Sequence, residues 1–279
     1  MSRSATINVM FRAADKAARR LLRDFGEVEN LQVTRKGVAD FVSTADHDAE
    51  RTITEELRRA RPDWGFLMEE GGSIAPREED GPCWIIDPLD GTTNFLHGVP
   101  QFCISIAAAD KPLEKGGKIT AAIILDPVRN EQFHAELGRG AYLNDRRIRV
   151  SGRRNLAECL FATGIPFLGR GSEEDHALFL AQLQQVMAHS AGIRRFGAAA
   201  LDLAWVAAGR YDGFWEERLA AWDIAAGILI IREAGGFVSD FSARDRALAS
   251  GQILAANPAI HGELLKLLRA ARPQAAKPD

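Results

Sequence analysis

The sequence predicts a layered α/β protein, and three observations carry that expectation. Apolar runs separated by turn residues form a meander in the first half, which suggests an antiparallel sheet. Strand and helix signals alternate after about residue 150, which implies a smaller α/β part. With 279 residues and 46% hydrophobic content, the chain can bury a large core. Two parts are expected, residues 1–150 and 151–279, packed as one compact unit.

The elements follow in order. Ile7, Met10, Phe11, Ala14, Ala18, Leu21 and Leu22 recur at helical intervals over residues 6–25, with Arg and Lys on the other face, and read as a packing helix. Lys36-Gly37 reads as a mobile turn and Phe41-Val42 as a short extended stretch. Ser43 to Asp46 reads as the start of a helix continuing through Ile53 and Leu57. By position alone, Asp46 is a helix-start acid and Lys36 a solvent-exposed cation. Trp64 to Met68 reads as a strand ending in Glu69-Glu70-Gly71-Gly72, and residues 71–82 as a flexible surface insert.

The run Trp84-Ile85-Ile86 reads as a buried strand, and Phe102–Ala109, Ile119–Leu125 and Glu131–Ala135 continue the sheet, with a turn at Asn144-Asp145. The polar stretch Ser151 to Leu156 connects the two parts. Beyond it come a strand at Leu160–Thr163, a helix over 173–189, a strand at Gly192–Phe196 and a helix at Ala198–Ala208. A strand at Gly213–Trp215 precedes an apolar helix that ends at Ala234-Gly235-Gly236. Strands at Phe237–Phe241 and Gln252–Ala255 and a helix at Ile260–Leu268 close the chain, and the tail from Arg272 is expected to fray.

Composition excludes several classes. A net charge of −3 gives no global electrostatic case for nucleic acid. The three cysteines, Cys83, Cys103 and Cys159, form no C-x-x-C pair, and the six histidines form no H-E-x-x-H cluster. Any metal is therefore expected to be oxygen-ligated, which favours magnesium or manganese. No apolar run approaches a membrane span and the N-terminus lacks the apolar core of a secretory signal, so a cytoplasmic protein without membrane contact is expected.

The candidate chemistry centres on Trp84 to Pro100, WIIDPLDGTTNFLHGVP. The apolar strand delivers Asp87 and Asp90 to a tight turn, Pro88 fixes one φ, and Gly91-Thr92-Thr93 follows at once. Two carboxylates held close together repel unless one is protonated or a cation sits between them. If Gly91 and Thr92 open a helix, their N–H groups can hold an oxyanion beside that cation. A structural turn accounts for the same residues, since Asp-Pro and Asp-Gly are common turn dipeptides. Glu69 either decorates an exposed loop or joins Asp87 and Asp90 at the same sheet edge. Asp223 by itself reads as a helix N-cap.

Taken together, Glu69, Asp87, Asp90 and Asp223 resemble the pattern of the inositol monophosphatase family, within the lithium-sensitive, magnesium-dependent phosphomonoesterases. The stretch from Trp84 to Phe95 matches W-x-I-D-P-L-D-G-T-T-N-F, and Trp222 to Gly227 matches W-D-x-A-A-G. Order and flanking elements agree over nearly the whole chain. Met68 departs from the pattern, since many relatives carry glycine there; Phe196 and Ala198 also differ from common choices near the sugar site.

The resemblance implies an αβαβα sandwich and a phosphatase that hydrolyses inositol 1-phosphate to inositol and phosphate by metal-activated water. It makes Glu69, Asp87, Asp90, Asp223 and the Leu89 carbonyl ligands for two or three Mg2+ ions, with Mn2+ a substitute. Thr92 and Glu69 orient the attacking water, Asp46 holds the Thr92 hydroxyl, and Lys36 lies near the phosphate. Substrate contacts fall to Asp90, the Gly91 and Thr92 N–H groups, Gly197, Ala198, Ala199, Glu216 and Asp223. The resemblance further implies a homodimer and lithium inhibition. Open alternatives are a related phosphatase for fructose bisphosphate, 3′-phosphoadenosine nucleotides, histidinol phosphate or NADP. A protein-binding regulator associated with the transcription machinery is a reading of another class.

Overall fold

The computed structural model describes residues 3–25, 33–37, 40–166, 169 and 171–271, with residues 33–37 and 40–43 as backbone. The first helix, α1 (Ala5–Phe25), buries Ile7, Met10, Phe11, Ala14, Ala18 and Leu21, the stripe its periodicity predicts. A two-stranded antiparallel ribbon follows, β1 (Val33–Gly37) and β2 (Asp40–Ser43), with Arg35 opposite Phe41 and Gly37 opposite Asp40. Lys36-Gly37 is thus strand, not a mobile turn, and residues 38–39 lie outside the described residues. Helix α2 (Thr44–Ala60) packs against α1.

Strands β3 (Gly65–Met68), β4 (Gly72–Ile74), β5 (Cys83–Asp90), β6 (Cys103–Ala109), β7 (Ile119–Asp126), β8 (Glu131–Glu136), β9 (Gly140–Leu143) and β10 (Arg146–Arg147) build an eight-stranded sheet in the order β10-β9-β8-β7-β6-β5-β3-β4. All neighbours run antiparallel except β3 and β5. The insert over 71–82 is not all loop, because β4 pairs with β3 at its start. A short helix, α3 (Thr92–Leu96), also intervenes between β5 and β6. The predicted turn at Asn144-Asp145 is present, with both residues at positive φ, 48° and 62°, as the hairpin twist requires.

The second half forms a five-stranded sheet from β11 (Leu160–Thr163), β12 (Gly192–Arg194), β13 (Gly213–Glu216), β14 (Phe237–Ser239) and β15 (Ile253–Ala256), ordered β12-β11-β13-β15-β14. Its helices are α4 (Glu173–Met187), α5 (Ala199–Ala207), α6 (Ala221–Glu233), α7 (Ala247–Ser250) and α8 (Pro258–Ala270).

Alternation along the strands assigns the layers. Trp84, Ile86, Ile104, Ile106, Ile123 and Leu125 face α1 and α2, whereas Ile85, Ala107, Ala122 and Ile124 face the α5–α6 layer. In the second sheet Ala162, Phe214 and Ala255 face α5 and α6, while Phe161, Trp215 and Leu254 face α4 and α8. The result is the αβαβα sandwich, with α5 and α6 buried between two sheets. This explains their nearly uniform apolar sequences, since a helix covered on both sides has no polar face to keep. Gly227 lets the two helices touch, because a Cβ there would meet Leu203 Cβ at 2.6 Å. Among the described residues, no helix is long and apolar enough to cross a membrane.

Candidate active site

The site forms where the first sheet meets the start of the central helices. On β5 the register slips between Asp87, opposite Ser105, and Asp90, opposite Cys103, so three steps on one strand face two on the other. Asp87 points to the same layer as Ile85, toward α6, and is almost fully buried. Its Oδ1 accepts the Leu89 N–H at 3.0 Å. Burial pushes its carboxyl well above the ordinary carboxylate range, and the charges of Glu69, Asp90 and Asp223 push it further. The structure thus brings together the four acids singled out in the sequence, drawn from the end of β3, from β5 and from the first turn of α6.

Asp90 is held by the N-terminus of α5. Its Oδ2 accepts the Ala200 N–H at 2.7 Å and its Oδ1 the Ala199 N–H at 3.2 Å, while the Cys103 thiol lies 3.6 Å from Oδ2. Burial still raises its pKa to about 6. Asp223 accepts the Ala220 N–H at 2.6 Å. It stands three residues past the cap, in the first turn of α6, and not at the N-cap position its sequence context suggested. The positive ends of two helix dipoles therefore face two of the acids.

Gly91 opens α3 at φ 96°, and the space over it is closed by the Gln101 carbonyl, so neither the conformation nor the room admits a side chain. That turn presents the Thr92 hydroxyl 2.9 Å from Asp46 Oδ1 and 3.0 Å from the Leu89 carbonyl. One proton serves only one of these acceptors at a time, and the fully buried Asp46 carboxylate is the stronger. The residue read in isolation as a helix-start acid thus reaches across 46 positions to the opening motif. The side chain of Lys36 lies outside the described residues.

Sequence reasoning passed over Asn94. Its Nδ2 donates to the Gln101 carbonyl at 2.8 Å and to the Phe196 carbonyl at 2.7 Å, tying the loop before α5 to α3. Gly197, in that loop, has φ 77°. The signal was available, since an amide in the middle of T-T-N-F has no cap to serve. Sequence reading also missed Gly164. A Cβ there would overlap both carboxylate oxygens of Glu216, so the side chain of Glu216 lies directly over the Gly164 backbone.

The four carboxylates suit a hard divalent cation, which would relieve their mutual repulsion. Among the described residues, no three acids, histidines or cysteines already close as a finished ligand shell. Asp90 and Asp223 both accept N–H groups at helix N-termini.

A buried acid cluster thus lies beside two helix N-termini and a hydroxyl–carboxylate pair in an αβαβα sandwich. The sequence model of the inositol monophosphatase family matches residues 2–274, and the chain belongs to that family. It is 54% identical over 269 residues to an inositol-1-monophosphatase of Mesorhizobium japonicum, covering 96% of this chain and 98% of that one. It is 45% identical over 273 residues to the Nus factor SuhB of Pseudomonas aeruginosa, covering 97% and 98%. The crystal structure of extragenic suppressor protein suhB from Bartonella henselae superposes with a TM-score of 0.90 at 52% identity, covering 96% and 99%. The chain is a phosphatase that hydrolyses phosphate monoesters.

Proposed function

We propose that this phosphatase acts on inositol 1-phosphate, releasing inositol and phosphate, with Mg2+ as its metal and Mn2+ as a substitute. The observation that carries the reading is the convergence of Glu69, Asp90 and Asp223 on the buried Asp87. The 54% identity to a protein named inositol-1-monophosphatase supports the substrate. Bound divalent ions supply charge neutralisation at the phosphoryl oxygens and a water of lowered pKa.

The rest is the work of this chain. Glu69, Asp87, Asp90, Asp223 and the Leu89 carbonyl hold the ions. Asp46 accepts a hydrogen bond from the Thr92 hydroxyl, which turns the Thr92 lone pairs outward to orient water together with Glu69. The N–H groups of Gly91 and Thr92 receive the phosphate and Lys36 stands near it. Gly197, Ala198, Ala199 and Glu216 meet the alcohol. In this reading residues 1–150 carry most of the ligands and residues 151–279 complete the site. No covalent phosphoenzyme is needed, because positioning and charge neutralisation do most of the work in a loose phosphoryl-transfer transition state.

The test is phosphate release from inositol 1-phosphate, set against fructose bisphosphate, 3′-phosphoadenosine nucleotides, histidinol phosphate and NADP, each with Mg2+ and with chelator. Inositol 1-phosphate should have the highest kcat/KM; preference for another ester would move the chain to that class. The 45% identity to a protein named Nus factor SuhB supports a second role, association with the transcription machinery. A cytoplasmic homodimer is part of the same proposal. Copurification with RNA polymerase tests it. Lithium should inhibit the hydrolysis.

A further inference from the structure

Two side chains of one motif grip the stretch from Phe196 to Ala200 from opposite polarities. Its carbonyls meet Asn94, whose Nδ2 donates to the Phe196 carbonyl at 2.7 Å and lies 3.4 Å from the Gly197 carbonyl. Its N–H groups meet Asp90, which accepts Ala199 at 3.2 Å and Ala200 at 2.7 Å. Asp90 and Asn94 stand four residues apart, with Gly91, Thr92 and Thr93 between them.

Asn94 joins this stretch to the turn at Gly91. An amide nitrogen carries two hydrogens, so it can serve two acceptors fully. One goes to the Phe196 carbonyl and the other to the Gln101 carbonyl at 2.8 Å. The Gln101 carbonyl is the same atom that closes the space over Gly91. A single half-buried amide therefore links the cover of the Gly91 turn to the loop before α5. Asn94 is itself fixed at its main chain, where its carbonyl accepts the Val99 N–H at 2.8 Å and the His97 N–H at 3.2 Å.

We propose that Asn94 is a positioning residue that sets the loop at Phe196 and Gly197 against the Gly91 turn. Through that loop it fixes the preference for phosphate esters of polyhydric alcohols over esters whose alcohol offers no hydroxyl group. The proposal rests on the reading of Gly197, Ala198 and Ala199 as contacts to the alcohol. Asn94 takes no part in the chemical step, so its loss should be felt in the binding of one substrate class and not in turnover.

Inositol 1-phosphate and p-nitrophenyl phosphate share the phosphoryl group and differ in the alcohol, which makes them a suitable pair. Asn94→Leu keeps the side chain at a similar size and removes both donors. With Mg2+ present, KM for inositol 1-phosphate should rise about tenfold, the effect of one or two hydrogen bonds given up, while kcat stays within about twofold. The kcat/KM for p-nitrophenyl phosphate should also stay within about twofold. Asn94→Ala should show the same split and serves as the test if Asn94→Leu does not fold. Equal losses on the two esters, or an unchanged KM for inositol 1-phosphate, overturns the proposal.

Hydrogen exchange on the full chain gives a readout without turnover. Exchange over residues 196–200 should be about tenfold faster in the Asn94 variant, with β5 and β6 exchanging as in the parent. If the parent shows no preference for inositol 1-phosphate, the substrate reading fails and this measurement decides the positioning role by itself. Faster exchange confined to 196–200 upholds it; unchanged exchange, or a rise spread over the whole fold, overturns it.

Discussion

Gly164→Ala isolates the contribution of Glu216 without touching it. Gly164 follows β11 and has a φ open to any residue, so the backbone accepts alanine, but the new Cβ occupies the place of the Glu216 carboxylate. Restoring van der Waals separation moves that carboxylate by roughly 1–2 Å. A displacement of this size breaks a hydrogen bond to a charged group, worth about 1.5–3 kcal/mol. The expected loss is therefore about 10- to 150-fold in kcat/KM for inositol 1-phosphate. Folding should survive, because the backbone conformation accepts alanine and the clash is with the far end of a flexible side chain. Phosphate-release kinetics and a urea titration on the same preparation give both numbers, and Glu216→Gln should show a loss of similar size. Unchanged kcat/KM in a stably folded Gly164→Ala protein would refute the placement of Glu216 on the substrate.

Two further perturbations test other parts of the account. Thr92→Val removes the hydroxyl but keeps the shape, leaving the buried Asp46 without this donor; kcat should fall by about 10²-fold or more, and Thr92→Ser should recover most of it. A stable Thr92→Val enzyme with normal kcat would remove Thr92 from the chemistry. Two buried imidazoles contribute to the pH dependence of stability, opposite in sign to buried carboxyls such as Asp90 whose pKa is raised. Burial holds His134 and His261 below their ordinary value of 6.5, so the unfolded chain takes up the proton more readily than the fold. Their contribution is present above that value and is lost as pH falls through it toward the folded pKa values. Lowering the pH from 7.5 to 5.5 should cost the parent more urea midpoint, or gain it less, than the His134→Gln/His261→Gln double variant, whose buried carboxyls are the same. An equal slope would show that other groups set the pH dependence.

The parts of this fold that the sequence displays are those decided by local periodicity. Trp84-Ile85-Ile86 and Ile104 to Ala109 are apolar on both faces because a helical layer covers each side, and α1 shows its stripe because only one side is covered. Phe41-Val42 is legible as the extended stretch that becomes β2, whereas β1 and β4 were missed, because Val-Thr-Arg-Lys-Gly and Gly-Ser-Ile carry no periodic signal and owe their form to a neighbouring strand. The acids were readable as residues and unreadable as a cluster until a family pattern joined them. Nothing local links Glu69 to Asp223. Asp46, fully buried in a first helical turn, shows the same limit, since its partner Thr92 is supplied by another element. Gly164 is the extreme case. Its importance lies in what a side chain 52 positions away does with the space it leaves, as the contact to Glu216 shows.

The central claim is that the acid cluster around Asp87 performs metal-dependent hydrolysis of a phosphate monoester. Asp90→Asn tests it most directly, because the amide oxygen can still accept an N–H from the start of α5 while the charge that would bind a cation is gone. Phosphate release from inositol 1-phosphate should require Mg2+, stop with chelator and vanish in Asp90→Asn, with the thermal midpoint and circular dichroism of that variant close to those of the parent. Turnover that survives chelation, or near-normal Mg2+-dependent turnover by Asp90→Asn, would contradict the account.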